Sequence, residues 1–381
     1  MYRYRLLAPG PTPVPESVLT KMAMPIIHHR TETFEKIVSE VREGLKWLYQ
    51  TKNEVLIFAS SGTGAMEGSV INLMRKADTA LVIDSGKFGE RWWKICQAYG
   101  LAHDIIKVEW GKSVDPKVVE QKLKEKEYRV VLATASETST GVSHPIQEIA
   151  KLVAERPNTA LVVDAITALG VNNIPTDEWK IDVLVTGSQK ALMLPPGLAF
   201  ASLSPKALQF CEQSDVPKFY FDFKRELKSI KENTTAWTPG VSLIIGLQEV
   251  LRLLKEEGLE NVFKRHAVLA KAAREGCKAM GLKLYAPESP STAVTAVYSP
   301  EGMDAGKIVK TLKNKFSMTI AGGQDQAKGK IFRIGHLGYY DPMDILVVLA
   351  AIESALIEHG HKIEPGVGLG AAVKVLLEAG K

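Results

Sequence analysis

Short runs of aliphatic and β-branched residues alternate along most of the chain with longer segments whose apolar positions recur three and four apart. The runs 55–59, 80–84, 104–109, 130–134, 161–164, 183–186 and 198–202 predict strands. Where successive residues are apolar, as at Val183, Leu184 and Val185, the strand is expected to be covered on both faces. Helical patterns separate most of these runs. Between 33 and 49, Phe34, Ile37, Val38, Val41, Leu45 and Leu48 mark one buried helix face, with Thr31 or Thr33 as its cap. The alternation predicts an α/β fold built on a doubly wound, mostly parallel seven-stranded sheet.

Two departures from this rhythm divide the chain. Residues 6–15 hold four prolines and a glycine, which excludes regular helix and central strand, so 1–15 reads as an extended arm of the kind that packs on a neighbouring subunit. After about residue 241, helical patterns at 242–254 and 261–280 lead to short strands near 293–298 and 330–334. The expected organisation is a large domain over 16–245 and a smaller C-terminal α+β domain over 246–381. The most apolar segment, 345–357, is too short to span a bilayer and carries Glu353 and Ser354, so it reads as a packed helix.

Composition narrows the function classes. In 381 residues, 48 Lys and Arg are interleaved with 43 Asp and Glu, and no basic block is dense enough to suggest nucleic acid or a membrane surface. Cys96, Cys211 and Cys277 are odd in number and far apart, so neither a disulfide framework nor a metal site is expected. The first ten residues lack a signal-like apolar core. A cytoplasmic protein is the expectation.

Lys190 is the first candidate for chemistry. It lies just past the strand 183–186, in a polar turn opened by Gly187, and the edge beyond strand ends is where α/β sheets bind ligands. Leu192, Met193 and Leu194 can desolvate the amine and favour Schiff-base chemistry, although a solvated surface lysine has the same local sequence. Asp164 ends the apolar strand 160–163, where a carboxylate needs a cation, such as a protonated heteroaromatic nitrogen, or serves as a turn residue. Residues 60–68, Ser-Ser-Gly-Thr-Gly-Ala-Met-Glu-Gly, follow a strand and open a helix, as either a phosphate cradle or a tight turn. Glu137 to Gly141 brings three hydroxyls to another strand end, and Phe88 stands between glycines on a loop as a stacking plate or a core contact. Arg333, inside the apolar run 331–335, suits a carboxylate or a structural ion pair. Thr234 to Pro239 suits a phosphate or a helix cap.

In this order the features resemble the class V, fold type I aminotransferases that use pyridoxal 5'-phosphate, particularly the branch acting between serine or alanine and glyoxylate or pyruvate. The resemblance runs from Pro9-Gly10-Pro11-Thr12 through His28-His29-Arg30, Gln50-Thr51-Lys52-Asn53, Ser61-Gly62-Thr63-Gly64, Gly86-Lys87-Phe88-Gly89-Glu90-Arg91, Glu137-Thr138-Ser139-Thr140-Gly141 and Ser188-Gln189-Lys190 to Phe332-Arg333-Ile334-Gly335. It implies that Lys190 holds the cofactor and Asp164 pairs with its ring nitrogen. Phe88 would stack on the ring where close relatives often carry Trp, Ser139 would meet the ring hydroxyl, and Ile166 would stand among the cofactor-binding residues. Thr63, Gly64, Ala65 and Gln189 would hold the phosphate. A neighbouring subunit would complete that site through Thr235 and Thr238, although some relatives carry Tyr where this chain has Thr235. Arg333 would clamp a substrate carboxylate, with the backbone near Gly10 closing over it.

The implied activity is ping-pong transamination between a small amino acid and a small 2-oxo acid, in a homodimer with shared sites. Two rivals are a lyase of the cysteine desulfurase type, which needs a reactive cysteine in the small domain, and a non-catalytic hydrogenase-associated subunit, which has no need of Lys190 and Asp164.

Overall fold

The apolar runs fold as predicted because they have no hydrated face to offer. The structure, a computed structural model, describes residues 3–380. Strands β1 Val55–Phe58, β2 Thr79–Asp84, β3 Ala102–Lys107, β4 Val130–Thr134, β5 Ala160–Asp164, β6 Val183–Gly187 and β7 Ala199–Ser202 form one sheet in the order β1-β7-β6-β5-β4-β2-β3. Only β7 runs against its neighbours, β1 and β6. Every residue of β1, β4, β5, β6 and β7 is buried. The edge strand β3 begins two residues before the expected 104, since Ala102 and His103 pair with Thr79 and Ala80 where only one face is covered.

Helix α1, Glu32–Tyr49, buries Phe34, Val38, Val41, Leu45 and Leu48 in the first core, and the Thr31 side chain accepts a hydrogen bond from Phe34 N. Helix α2, Gly62–Leu73, and helix α3, Lys87–Ala98, follow β1 and β2. Helix α4, Val241–Glu257, straddles the expected boundary at 245–246 and packs on this first core. Helix α5, Leu259–Ala279, then hands over from one core to the other: Val262 belongs to the first and Leu269 to the second. The second core lies against an antiparallel sheet of β8 Val294–Tyr298, β9 Ala321–Gly322 and β10 Ile331–Gly335, with β10 in the middle. The apolar segment at 345–357 lies in helix Pro342–Glu358, which buries eight residues there. Among the described residues no helix is long and apolar enough to cross a membrane.

The proline-rich arm folds back on its own chain. Arg5 and Leu6 pair in parallel with Met318 and Thr319, Leu7 is fully buried in the second core, and the Tyr340 hydroxyl donates to Leu6 O and Ala8 O. A few residues on, Thr12 N donates to Gln189 O and Thr12 Oγ1 to Lys190 O. The arm therefore spans from the second core to the turn that carries the lysine.

Candidate active site

The carboxyl ends of β5 and β6 and the amino-terminal turn of α2 meet around a cavity of about 270 Å³. Seven residues singled out from the sequence line it: Gly10, Thr63, Phe88, Asp164, Ile166, Gln189 and Lys190.

Lys190 stands three residues past β6, in a turn fixed by Ser188, whose hydroxyl donates to Pro195 O and whose amide donates to Leu198 O. Leu192, Met193 and Leu194 are buried behind it, and Lys190 itself is 8% exposed. Burial pushes the amine down from 10.5 to about 8; Asp164 opposes that shift, while Arg333 and Arg91 add to it. Lys190 Nζ donates to Pro9 O, so the arm covers the amine. The next residue, Gly10, has φ +130°, and any Cβ there would collide with the lysine side chain.

Asp164 is 3% exposed, and burial raises its carboxyl from 3.8 to about 7. Ile166 N donates to Oδ1 at 2.8 Å and moderates the shift, Glu137 adds to it, and Arg91 and Lys190 pull it back. The carboxylate and the amine thus present opposite, poorly solvated charges to one space.

Helix α2 starts at the cavity wall with its amide ends forward, and Thr63 in its first turn accepts a hydrogen bond from Arg91 Nη1 at 3.0 Å. Gly64 and Ala65 lie in the same turn, behind the lining residues Ser61, Gly62 and Thr63. Gln189 Oε1 is buried without a hydrogen-bond partner among the described residues. The ring of Phe88 lies 4.8 Å from the Arg91 guanidinium carbon.

The other expected residues stand away from the cavity surface. Ser139 is fully buried behind the wall, its hydroxyl donating to Glu137, and the hydroxyl-bearing residue of that turn that lines the cavity is Thr138. Thr138 packs in a hydroxyl pair with Thr167 at 2.7 Å. Arg333 also stands behind the wall: Nε and Nη2 donate to Gly322 O at 3.0 and 2.8 Å, and Nη1 donates to Thr138 O at 2.9 Å. Burial pushes its guanidinium down to about 10. Thr235 and Thr238 line a different hollow, with Tyr220 and Trp237, and do not face their own chain's cavity.

Thr167 lines the cavity without having been named from the sequence, and Arg91 and Thr138 line it although the sequence offered them only as members of longer motifs, with no role of their own. Arg91 lies one helical turn after Phe88, and that spacing is the signal that could have found it. Among the described residues no group of three or more His, Cys, Asp or Glu side chains could hold a metal ion.

The family described as Aminotransferase class-V matches residues 5–339. A relative from Synechococcus sp., named soluble hydrogenase, small subunit, is 45% identical over 98% of this chain and 98% of its own length. The serine–glyoxylate aminotransferase of Methylorubrum extorquens is 36% identical over 99% of this chain and 96% of its own. Among solved structures, the ureidoglycine–glyoxylate aminotransferase of Bacillus subtilis superposes with a TM-score of 0.95 at 30% identity, covering 99% of both chains.

Proposed function

The chain belongs to the class V aminotransferase family, and from that membership we propose that it moves the amino group of a small amino acid, alanine or serine, to a small 2-oxo acid, glyoxylate or pyruvate, with pyridoxal 5'-phosphate as cofactor. The observation that carries this reading is that a desolvated amine, Lys190, and a desolvated carboxylate, Asp164, line one cavity.

The residues present fit the cofactor. Asp164 is a buried acid whose only hydrogen bond among the described residues comes from a backbone amide, so a ring N–H would supply a missing partner. Gln189 carries a buried oxygen with no donor, and its amide turned over presents N–H to an anion. Thr63, Gly64 and Ala65 add the end of a twelve-residue helix for the phosphate. Phe88 and Ile166 supply apolar surface, and Thr138, beside the expected Ser139, brings a hydroxyl to the cavity wall.

When bound, pyridoxal 5'-phosphate supplies an aldehyde that condenses with amines and a ring that accepts the electron pair left on a substrate's α-carbon. Lys190 serves as its anchor and, once released, as the carrier of the α-proton. A pKa near 8 leaves free amine at neutral pH yet lets Nζ keep a proton when it takes one. Asp164, as an anion, holds a proton on the ring nitrogen. Arg333 pairs with the substrate carboxylate, exchanging carbonyl acceptors for a charged one, while the backbone at Gly10 closes the same end. In a homodimer, Thr235 and Thr238 of each copy complete the phosphate site of the other.

The rivals lack support at the site. Cys96, Cys211 and Cys277 are buried, each thiol is pushed up to about 12 mainly by burial, and none lines the cavity, so a desulfurase nucleophile is missing. The hydrogenase name of one relative accounts for neither the buried lysine nor the buried aspartate. The deciding experiment pairs alanine or serine with glyoxylate or pyruvate in the presence of pyridoxal 5'-phosphate. Amino transfer is expected in at least one pairing, falling at least about a thousandfold in Lys190→Ala. No transfer in any pairing would sink the substrate assignment.

A further inference from the structure

Resting on the cofactor reading above, we propose that Glu137 is a positioning residue. As an ionised carboxylate it caps, from the neighbouring strand end, the helix that displays Phe88 and Arg91 to the cavity. Helix α3 begins after Gly86, which has no side chain with which to satisfy the first-turn amides. Glu137 satisfies two of them, with Phe88 N and Gly89 N donating to its Oε2 at 3.1 and 2.9 Å, while Lys87 N donates to Ser139 Oγ at 3.1 Å. Its other oxygen, Oε1, receives Ser139 N at 3.1 Å and the Ser139 hydroxyl.

The donors around this carboxyl suit its charged form. Glu137 is fully buried, and burial raises its carboxyl, yet the contacts at both oxygens are donors. An amide would set one of its own N–H groups against a backbone N–H, and a protonated acid would give up one acceptor position to its own hydrogen. A helix amino terminus and the Arg333 charge favour the anion instead. Gly86 permits the approach, since a Cβ there would lie 2.6 Å from both Cγ and Cδ of Glu137.

The grip reaches the cavity through α3. Phe88 is the residue whose amide is held, and Arg91, one turn on, packs over its ring and donates to Thr63. The same turn receives Arg333 Nη1 on Thr138 O, so the aromatic plate and the carboxylate clamp are registered to one short piece of chain. Glu137 does not line the cavity; it acts through Phe88.

The test is a double-mutant cycle on cofactor affinity, read by visible absorbance and visible circular dichroism of bound pyridoxal 5'-phosphate, in wild type, Glu137→Gln, Phe88→Ala and the pair. Glu137→Gln and Phe88→Ala are each expected to weaken binding by about tenfold, the pair no more than Phe88→Ala alone, and the dichroic band to shrink in every variant. Additive losses, or a Glu137→Gln protein with wild-type affinity and dichroism, would overturn the assignment. Should Glu137→Gln fail to fold, Glu137→Asp, which keeps the charge but shortens the reach, takes its place. It must then lose dichroism in the Phe88 background only, and an equal loss with Ala at 88 refutes the proposal. A wild-type protein that binds no pyridoxal 5'-phosphate would instead sink the cofactor reading.

Discussion

Asp164 and Lys190 line one cavity, and each counters the effect of burial on the other: the carboxylate pulls the amine back towards its ammonium form, and the amine pulls the acid back towards its anion. Neither cancels the other, and this leaves a signature in stability that requires no substrate.

Asp164 carries a proton in the folded chain up to about pH 7 but releases it near 3.8 when unfolded. Between those values the folded state binds the extra proton, so this residue makes stability fall as pH rises from 4 to 7. Lys190 has the opposite sign and a later window: from about 8 to 10.5 the unfolded state binds the extra proton, and stability rises. Urea unfolding of cofactor-free protein should therefore show the stability lost between pH 4 and 7 reduced by a few kcal/mol in Asp164→Asn. Equal slopes in variant and wild type would remove the buried-acid account.

Gly10→Ala should leave the folded core in place and spoil the site. The new Cβ meets the Lys190 side chain, and φ +130° is hostile to alanine. Covalent capture of pyridoxal 5'-phosphate, followed by its visible absorbance, is expected to slow by at least about tenfold. Capture at the wild-type rate would show that the arm moves away freely.

Arg333→Lys keeps a charge and loses the fork. The KM for every carboxylate substrate should rise about 10- to 100-fold, with a smaller effect on kcat. Arg333→Ala should also cost about 1–3 kcal/mol of stability, because Gly322 O and Thr138 O lose their donors. Steady-state kinetics with an amino acid and a 2-oxo acid, together with urea unfolding, would check both, and an unchanged KM places the clamp elsewhere.

Mixing subunits tests the shared site. Lys190→Ala lacks the amine, and a Thr235→Ala/Thr238→Ala chain lacks the groups proposed to reach across to a second copy. Each alone should be nearly inactive or bind cofactor weakly. Refolded together, they should regain activity, because one site of the mixed dimer has an intact lysine and an intact neighbour. Activity that never exceeds the sum of the separate proteins would confine Thr235 and Thr238 to their own chain.

The sheet was legible because most of its strands are buried on both faces, so their sequences have no polar positions to confuse with helix; β3, with one covered face, is the strand whose limits shift most, by two residues at each end. Lys190 and Asp164 were legible for a related reason, since a charge at the end of an apolar run must be accounted for. Glu137 stands at a similar place beyond β4 and was eclipsed by the three hydroxyls after it. Arg91 gave less warning, because a helix with one wet face carries arginines as a matter of course. The return of the arm onto Lys190 depends mainly on backbone carbonyls and amides, which any sequence possesses, so only the family resemblance, through Gly10, pointed to it.

That arm has a mechanical consequence. One stretch of backbone is stitched to Thr319 and Tyr340 on one side and to Gln189 and Lys190 on the other. The carbonyl that meets the lysine amine is therefore held by the same few residues that tie the second core to the lysine turn, so the seating of that core and the cover over Nζ are set together.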